Sequence, residues 1–148
     1  MSENNATRTL RTHLQAYGCH CQRFEDKLSP GIPDTGVGAL GVYAFLEGKF
    51  IKQLPTRETT LVRFGSKDEP RLAHQFNWLT AHDKAGGLAM WWIRVRDVGW
   101  YLFDDRYVWL KTGVPKDILL QERNLGSGKA MADEITKRMA LHASRLAQ

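Results

Sequence analysis

The sequence predicts an α/β fold in which a mixed central sheet is flanked by helices. Apolar residues recur at helical spacing near both ends of the chain and once in its middle. Between those segments lie runs rich in β-branched and aromatic residues, and one of these is interrupted by a glutamate and a lysine. The resulting order, α, β, β, β, α, β, β, α, suits an α/β sandwich built on a mixed sheet.

Each element has a local reason. Leu10, Leu14 and Tyr17 fall at i, i+4 and i+7 and predict a short amphipathic helix over Arg8–Tyr17, ended by Gly18. The polar Met1–Thr7 reads as frayed, and Cys19–Asp26 reads as a strand. Two prolines and a glycine in Lys27–Thr35 make a loop that delivers Asp34 to the next strand. Leu40–Ile51 is predicted as a central strand, preceded by a short paired strand near Thr35–Gly38. Lys52–Phe64 is a basic connection with an extended piece at Thr60–Phe64. Ser66 and Glu69 have the spacing of a capping box and Pro70 suits a first turn, so a helix follows with Leu72, Phe76 and Leu79 as its buried stripe and Gly86-Gly87 as its stop. Leu88–Val95 and Trp100–Phe103 are predicted as strands joined by a turn near Asp97–Gly99. Ala130–Leu146 closes the chain as a helix with Met131, Ile135 and Met139 on one face, a stripe that suits either packing or a dimer face.

Composition narrows the class. The 148 residues, 43% hydrophobic and 25% charged, fit one globular domain over residues 1–148, with a core about 8–110 and a C-terminal helical extension about 127–148. Lys and Arg number 21 against 16 Asp and Glu, a formal charge of +5, which is compatible with a polyanionic partner. The first residues lack the apolar core of a signal peptide, and no apolar stretch approaches the ~20 residues a membrane span needs. The expectation is a cytoplasmic protein with no membrane partner. Cys19 and Cys21 are expected as free thiols, since no second pair with zinc-site spacing follows.

Glu47 and Lys49 are two apart on a strand, so they share a face, roughly 6–7 Å apart. Burying a carboxylate and an ammonium there is costly unless they pair or meet a metal. Asp34 follows the tight Gly31-Ile32-Pro33 turn, and a hairpin of this length brings it beside Glu47. Two converging carboxylates make a hard-oxygen site of the kind Mg²⁺ prefers, and a neighbouring lysine helps activate a bound water.

Gly31-Ile32-Pro33-Asp34 followed by Glu47-Gly48-Lys49 resembles the signature of the PD-(D/E)xK nucleases, whose core is restriction-endonuclease-like. More narrowly, the chain resembles the VRR-NUC (virus-type replication–repair nuclease) group, including its small phage-borne members. The resemblance runs over roughly Gln22–Phe103, through Arg23-Phe24-Glu25, Leu61-Val62-Arg63-Phe64, Gln75, Ala85-Gly86-Gly87 and Trp100-Tyr101-Leu102-Phe103. It has no counterpart for the C-terminal helix. It implies an Mg²⁺-dependent endonuclease, with Mn²⁺ substituting, that cuts branched, flapped or junction DNA in phage replication or recombination, in the host cytoplasm.

On that resemblance Asp34 and Glu47 ligate the metal with the carbonyl of Gly48, and Lys49 acts on the attacking water. Glu25 completes the metal site or holds a second ion, and Gln75 supports the lysine or a scissile phosphate. The chain departs from the pattern at Gly48, where an apolar residue is commoner, and its first helix offers no acid except Glu3. Lys52, Arg57, Arg63, Lys67 and Arg71 are expected to contact DNA, although the same stretch carries Glu58, Asp68 and Glu69. Cutting a junction would call for two active sites and a homodimer. Two rivals stand: a non-catalytic DNA-binding protein that retains the fold, and a metal-independent RNA-cleaving relative. His20, His74 and His82 read as ordinary histidines. Of Trp78, Trp91, Trp92, Trp100 and Trp109, at least three are expected in the core, the others being able to stack unpaired bases.

Overall fold

The computed structural model describes residues 3–24, 31–66 and 69–148. Five strands form one sheet in the order β1-β2-β3-β5-β6: β1 (His20–Arg23), β2 (Thr35–Ala39), β3 (Val42–Ile51), β5 (Leu88–Val95) and β6 (Gly99–Phe103). The β3–β5 pair is parallel and the others antiparallel, so the sheet is mixed, with α2 (Pro70–Lys84) as the crossover between its parallel strands. Strand alternation divides the interior. Ala44 and Leu46 of β3, Met90 and Trp92 of β5, and Trp100 and Leu102 of β6 face a core shared with α1 (Glu3–Ala16) and α5 (Gly128–Leu146). Trp91, Ile93, Tyr101 and Phe103 face the other side and pack with Leu72 and Leu79 of α2.

The helix-flanked mixed sheet and the C-terminal helix agree with the layout read from the sequence, while several boundaries differ for physical reasons. α1 begins at Glu3, well inside the stretch expected to fray, because Ala6 is fully buried in the first core. It ends as a Schellman motif, with Gly18 N–H donating to Gln15 and Cys19 N–H to Leu14, and Gly18 takes the positive φ (86°) that this cap requires. β3 starts at Val42, since Leu40 (φ 57°) and Gly41 (φ 76°) form the two-residue turn of the β2–β3 hairpin. α2 begins at Pro70 with Glu69 as N-cap; only half of the expected box forms, Ser66 N–H donating to the Glu69 carboxylate at 3.1 Å. α5 begins at Gly128, capped by Ser127, whose hydroxyl accepts from Ala130 N–H. Its Met131, Ile135 and Met139 are buried within the chain.

Residues 104–127, unassigned in the sequence reading, hold α3 (Val108–Thr112), β7 (Val114–Pro115) and α4 (Lys116–Leu120). β7 pairs with β4 (Leu61–Val62), and Tyr107, Leu110, Val114 and Leu119 close the far end of the α2-side core. Cys19 and Cys21 are both free and both lie against the α1-side core. Among the described residues no helix is long and apolar enough to cross a membrane.

Candidate active site

The hairpin turn fixes what meets what. Ala39 pairs with Val42 and Thr35 with Leu46, so one further step of the register sets Asp34 opposite Glu47. The two acids then bind each other's backbone: Asp34 N–H donates to Glu47 Oε2 at 3.2 Å, and Gly48 N–H donates to Asp34 Oδ2 at 3.3 Å. Thr35 Oγ1 donates to Asp34 Oδ1 at 3.1 Å. Lys49 Nζ lies 3.5 Å from Glu47 Oε1. Glu47 and Lys49 are 4% and 3% exposed, so this is an ionic pair held almost wholly out of water. Such a pair is a poor source of stability, because desolvation offsets most of the attraction.

The adjoining helix is locked to the loop that carries Asp34. Gly31 (φ 83°) packs directly on the backbone of α2, where a Cβ would overlap the carbonyl of His74. Any side chain at 31 would push the Gly-Ile-Pro-Asp turn away from α2. The next helix residue, Gln75, is 6% exposed, and its Oε1 has no hydrogen-bond partner among the described residues. A buried amide oxygen without a donor is costly in a finished core and is a natural acceptor for a ligand or an ordered water.

Gly48 is explained by its neighbour across the parallel pair. It is in register with Trp92, and a Cβ at 48 would overlap the indole of that residue. The fully buried Trp92 ring thus occupies the volume that an apolar side chain would fill.

Asp34, Glu47, Gly48 and Lys49 are therefore brought together, and Gln75 follows the α2 residue on which Gly31 is seated. Glu25 and Lys67 lie outside the described residues. Lys52, Arg57, Arg63 and Arg71 are all exposed; Arg71 Nε is 3.1 Å from Glu69, and Arg63 lines a groove with Leu72 and Lys111 on the flank of α2. Among the described residues no group of three or more His, Cys, Asp or Glu is placed to hold a metal. Trp91, Trp92 and Trp100 are core, whereas Trp78 and Trp109 are half-buried. The sequence reading missed the parts played by Thr35, Gly31 and Trp92. The positive-φ turn glycine was a usable signal for Gly31, whereas nothing local marks a tryptophan as the partner of a glycine 44 positions away.

No family model matches the chain, and no curated protein does. Among solved structures it is similar to Hjc of Archaeoglobus fulgidus, a Holliday junction resolvase from an archaeal hyperthermophile solved at 1.6 Å resolution. That likeness has a TM-score of 0.46 and 20% identity over 68% of this chain and 70% of the other.

Proposed function

We propose that this chain is a divalent-metal-dependent endonuclease of the PD-(D/E)xK superfamily and of its VRR-NUC type, hydrolysing DNA phosphodiester bonds. The observation that supports the reading most is the reciprocal tie between Asp34 and Glu47 with the buried ammonium of Lys49 alongside. A core that has no chemistry to perform is better served by apolar residues at 47 and 49.

The donor set suits Mg²⁺, which takes one or two carboxylates and fills its remaining positions with water and phosphate oxygen. Asp34 and Glu47 would hold the ion, with the Gly48 carbonyl, which leaves the strand on the same edge as its N–H, and with Glu25 as further oxygens. When bound, the ion supplies Lewis acidity toward the phosphoryl oxygens and lowers the pKa of a water. Lys49 is positioned by Glu47 to orient that water and to offset charge on the phosphate. The unpartnered Oε1 of Gln75 would accept from the Lys49 ammonium or from the water. Lys52, Arg57, Arg63, Lys67 and Arg71 would follow the DNA backbone. The proposed substrates are branched, flapped or junction DNA in phage replication or recombination, with a homodimer supplying paired cuts at a junction, in the cytoplasm of the cell that makes the protein.

The test is purified full-length protein with four-way, flapped, supercoiled and linear DNA. Cleavage is expected with Mg²⁺ or Mn²⁺, lost on chelation, and reduced about 10²–10⁴-fold in Asp34→Asn and Lys49→Met. Stable binding with no cut under any divalent ion would replace this reading with a non-catalytic binder. RNA cleavage that persists in chelator would point to the metal-independent relative.

A further inference from the structure

The sheet face that carries Asp34 and Glu47 continues beyond them as an aromatic shelf. Phe24 lies opposite Asp34, its N–H donating to the Asp34 carbonyl at 2.9 Å, and Phe45 is two residues before Glu47 on the same strand. Gly36 pairs with Phe45 and Gly38 with Tyr43, so β2 offers no side chain on this face there. The Tyr43 ring lies down over both glycines, its hydroxyl occupying the place of a Gly36 Cβ and reaching Gln22 Oε1 at 3.4 Å. Phe24 stacks on Phe45 with centroids 5.9 Å apart. The edge of Phe45 meets Trp78 and His82, each at 4.9 Å, and those two stack on one another at 5.0 Å.

These rings are not simply core. Phe24, Tyr43 and Phe45 belong to neither buried cluster, and Tyr43 is 40% exposed. α2 packs over β5, whereas the helix packed on β1 is α1. The surface is aromatic and contiguous with Asp34 and Glu47, with Tyr43 meeting Phe45 edge-on at 5.2 Å. A two-residue step along a strand is roughly 6–7 Å. A phosphate at Asp34 and Glu47 therefore leaves its neighbouring nucleotide above Phe45 and Tyr43. Bases within a duplex already have both faces stacked, so an unpaired one is the group that fits.

We propose that this shelf stacks the unpaired base of a nucleotide next to the scissile phosphate, and so selects DNA that is single-stranded at the cut. Stacking on aromatic side chains is tolerant of sequence because every base has a π-face. The proposal rests on the nuclease reading above and assigns that site its substrate geometry.

The experiment uses the full chain in low salt with Ca²⁺, which takes the same oxygen donors as Mg²⁺, and a flapped duplex carrying 2-aminopurine as the first unpaired nucleotide. Stacking quenches this base, so its emission should fall severalfold at saturating protein. An abasic site at that position should weaken binding about fivefold to a hundredfold. Tyr43→Leu and Trp78→Leu should diminish both effects, and Tyr43→Phe should retain them. The abasic comparison needs only the wild-type chain and so does not depend on any variant folding. Unaltered emission at saturation, or equal affinity for base and abasic site, overturns the shelf. Scoring Mg²⁺-dependent cleavage on the same DNA separates the two readings. Quenching without cleavage overturns the nuclease and leaves the shelf, and cleavage without quenching or abasic discrimination overturns the shelf alone.

Discussion

At the scale of single residues, the pairing of Glu47 with Lys49 makes an energetic claim that can be measured. Breaking a buried ion pair from one side leaves an uncompensated charge, at a cost of about 3–5 kcal/mol, whereas replacing both members with apolar residues is often neutral or better. Lys49→Met alone should therefore lower the denaturation midpoint, and adding Glu47→Leu should recover most of the loss while cleavage stays absent. A double variant as unstable as the sum of the singles would mean that the two residues are not energetically coupled, and would overturn the buried ion pair. A second residue-scale expectation concerns His82. Burial holds its imidazole below the ordinary value of 6.5, with His142 adding to the effect and Asp83 opposing it. In the window just below 6.5 the unfolded chain binds more protons than the folded one, so stability is full above that pH and declines as pH falls through it. His82→Phe should flatten the acid side of a plot of melting temperature against pH; an unchanged slope would place the acid sensitivity elsewhere.

At the scale of elements, the β2–β3 turn governs whether the acids meet, because a register slip of one residue would move Glu47 to the opposite face. That turn contains Leu40 in the left-handed region, where a branched side chain costs about 1–2 kcal/mol and asparagine is tolerated. Leu40→Asn is expected to raise stability by ~1 kcal/mol in denaturant titration with cleavage kept, whereas a loss of stability would show that the exposed leucine has a contact to lose. The same turn explains what could be read in advance. Asp34 beside Glu47 was legible because two short strands and the gap between them leave one sensible pairing. The start of β3 was not, since leucine is a poor signal for a turn that asparagine usually announces. The seating of Gly31 on His74 was also hidden: it joins backbone to backbone across 43 positions, and no side-chain pattern records it. α3, β7 and α4 escaped because segments of two to five residues are too short to show a period, although their apolar residues finish a core.

At the scale of the whole molecule, the sheet is a partition with a different task on each side. The candidate residues Glu47 and Lys49 occupy the α2 side, and α1 with α5 seals the other, where Leu46, Met90 and Trp92 are fully or almost fully buried. Removing residues 127–148 would uncover that face, so the truncated chain should lose its cooperative thermal transition and bind hydrophobic dyes. A sharp transition that survived truncation would mean that α5 is an accessory. The fold is thus expected to melt as one unit.

The contact between α1 and α5 also sets an order of events at the ribosome. The first helix made has no finished surface to rest on until residues 128–146 emerge, at a synthesis rate of about 5–20 residues per second. Throughout that interval the tryptophan-bearing underside of the sheet faces solvent or a chaperone. The strand pairing that sets Asp34 opposite Glu47 should therefore become stable only once translation has passed the final helix.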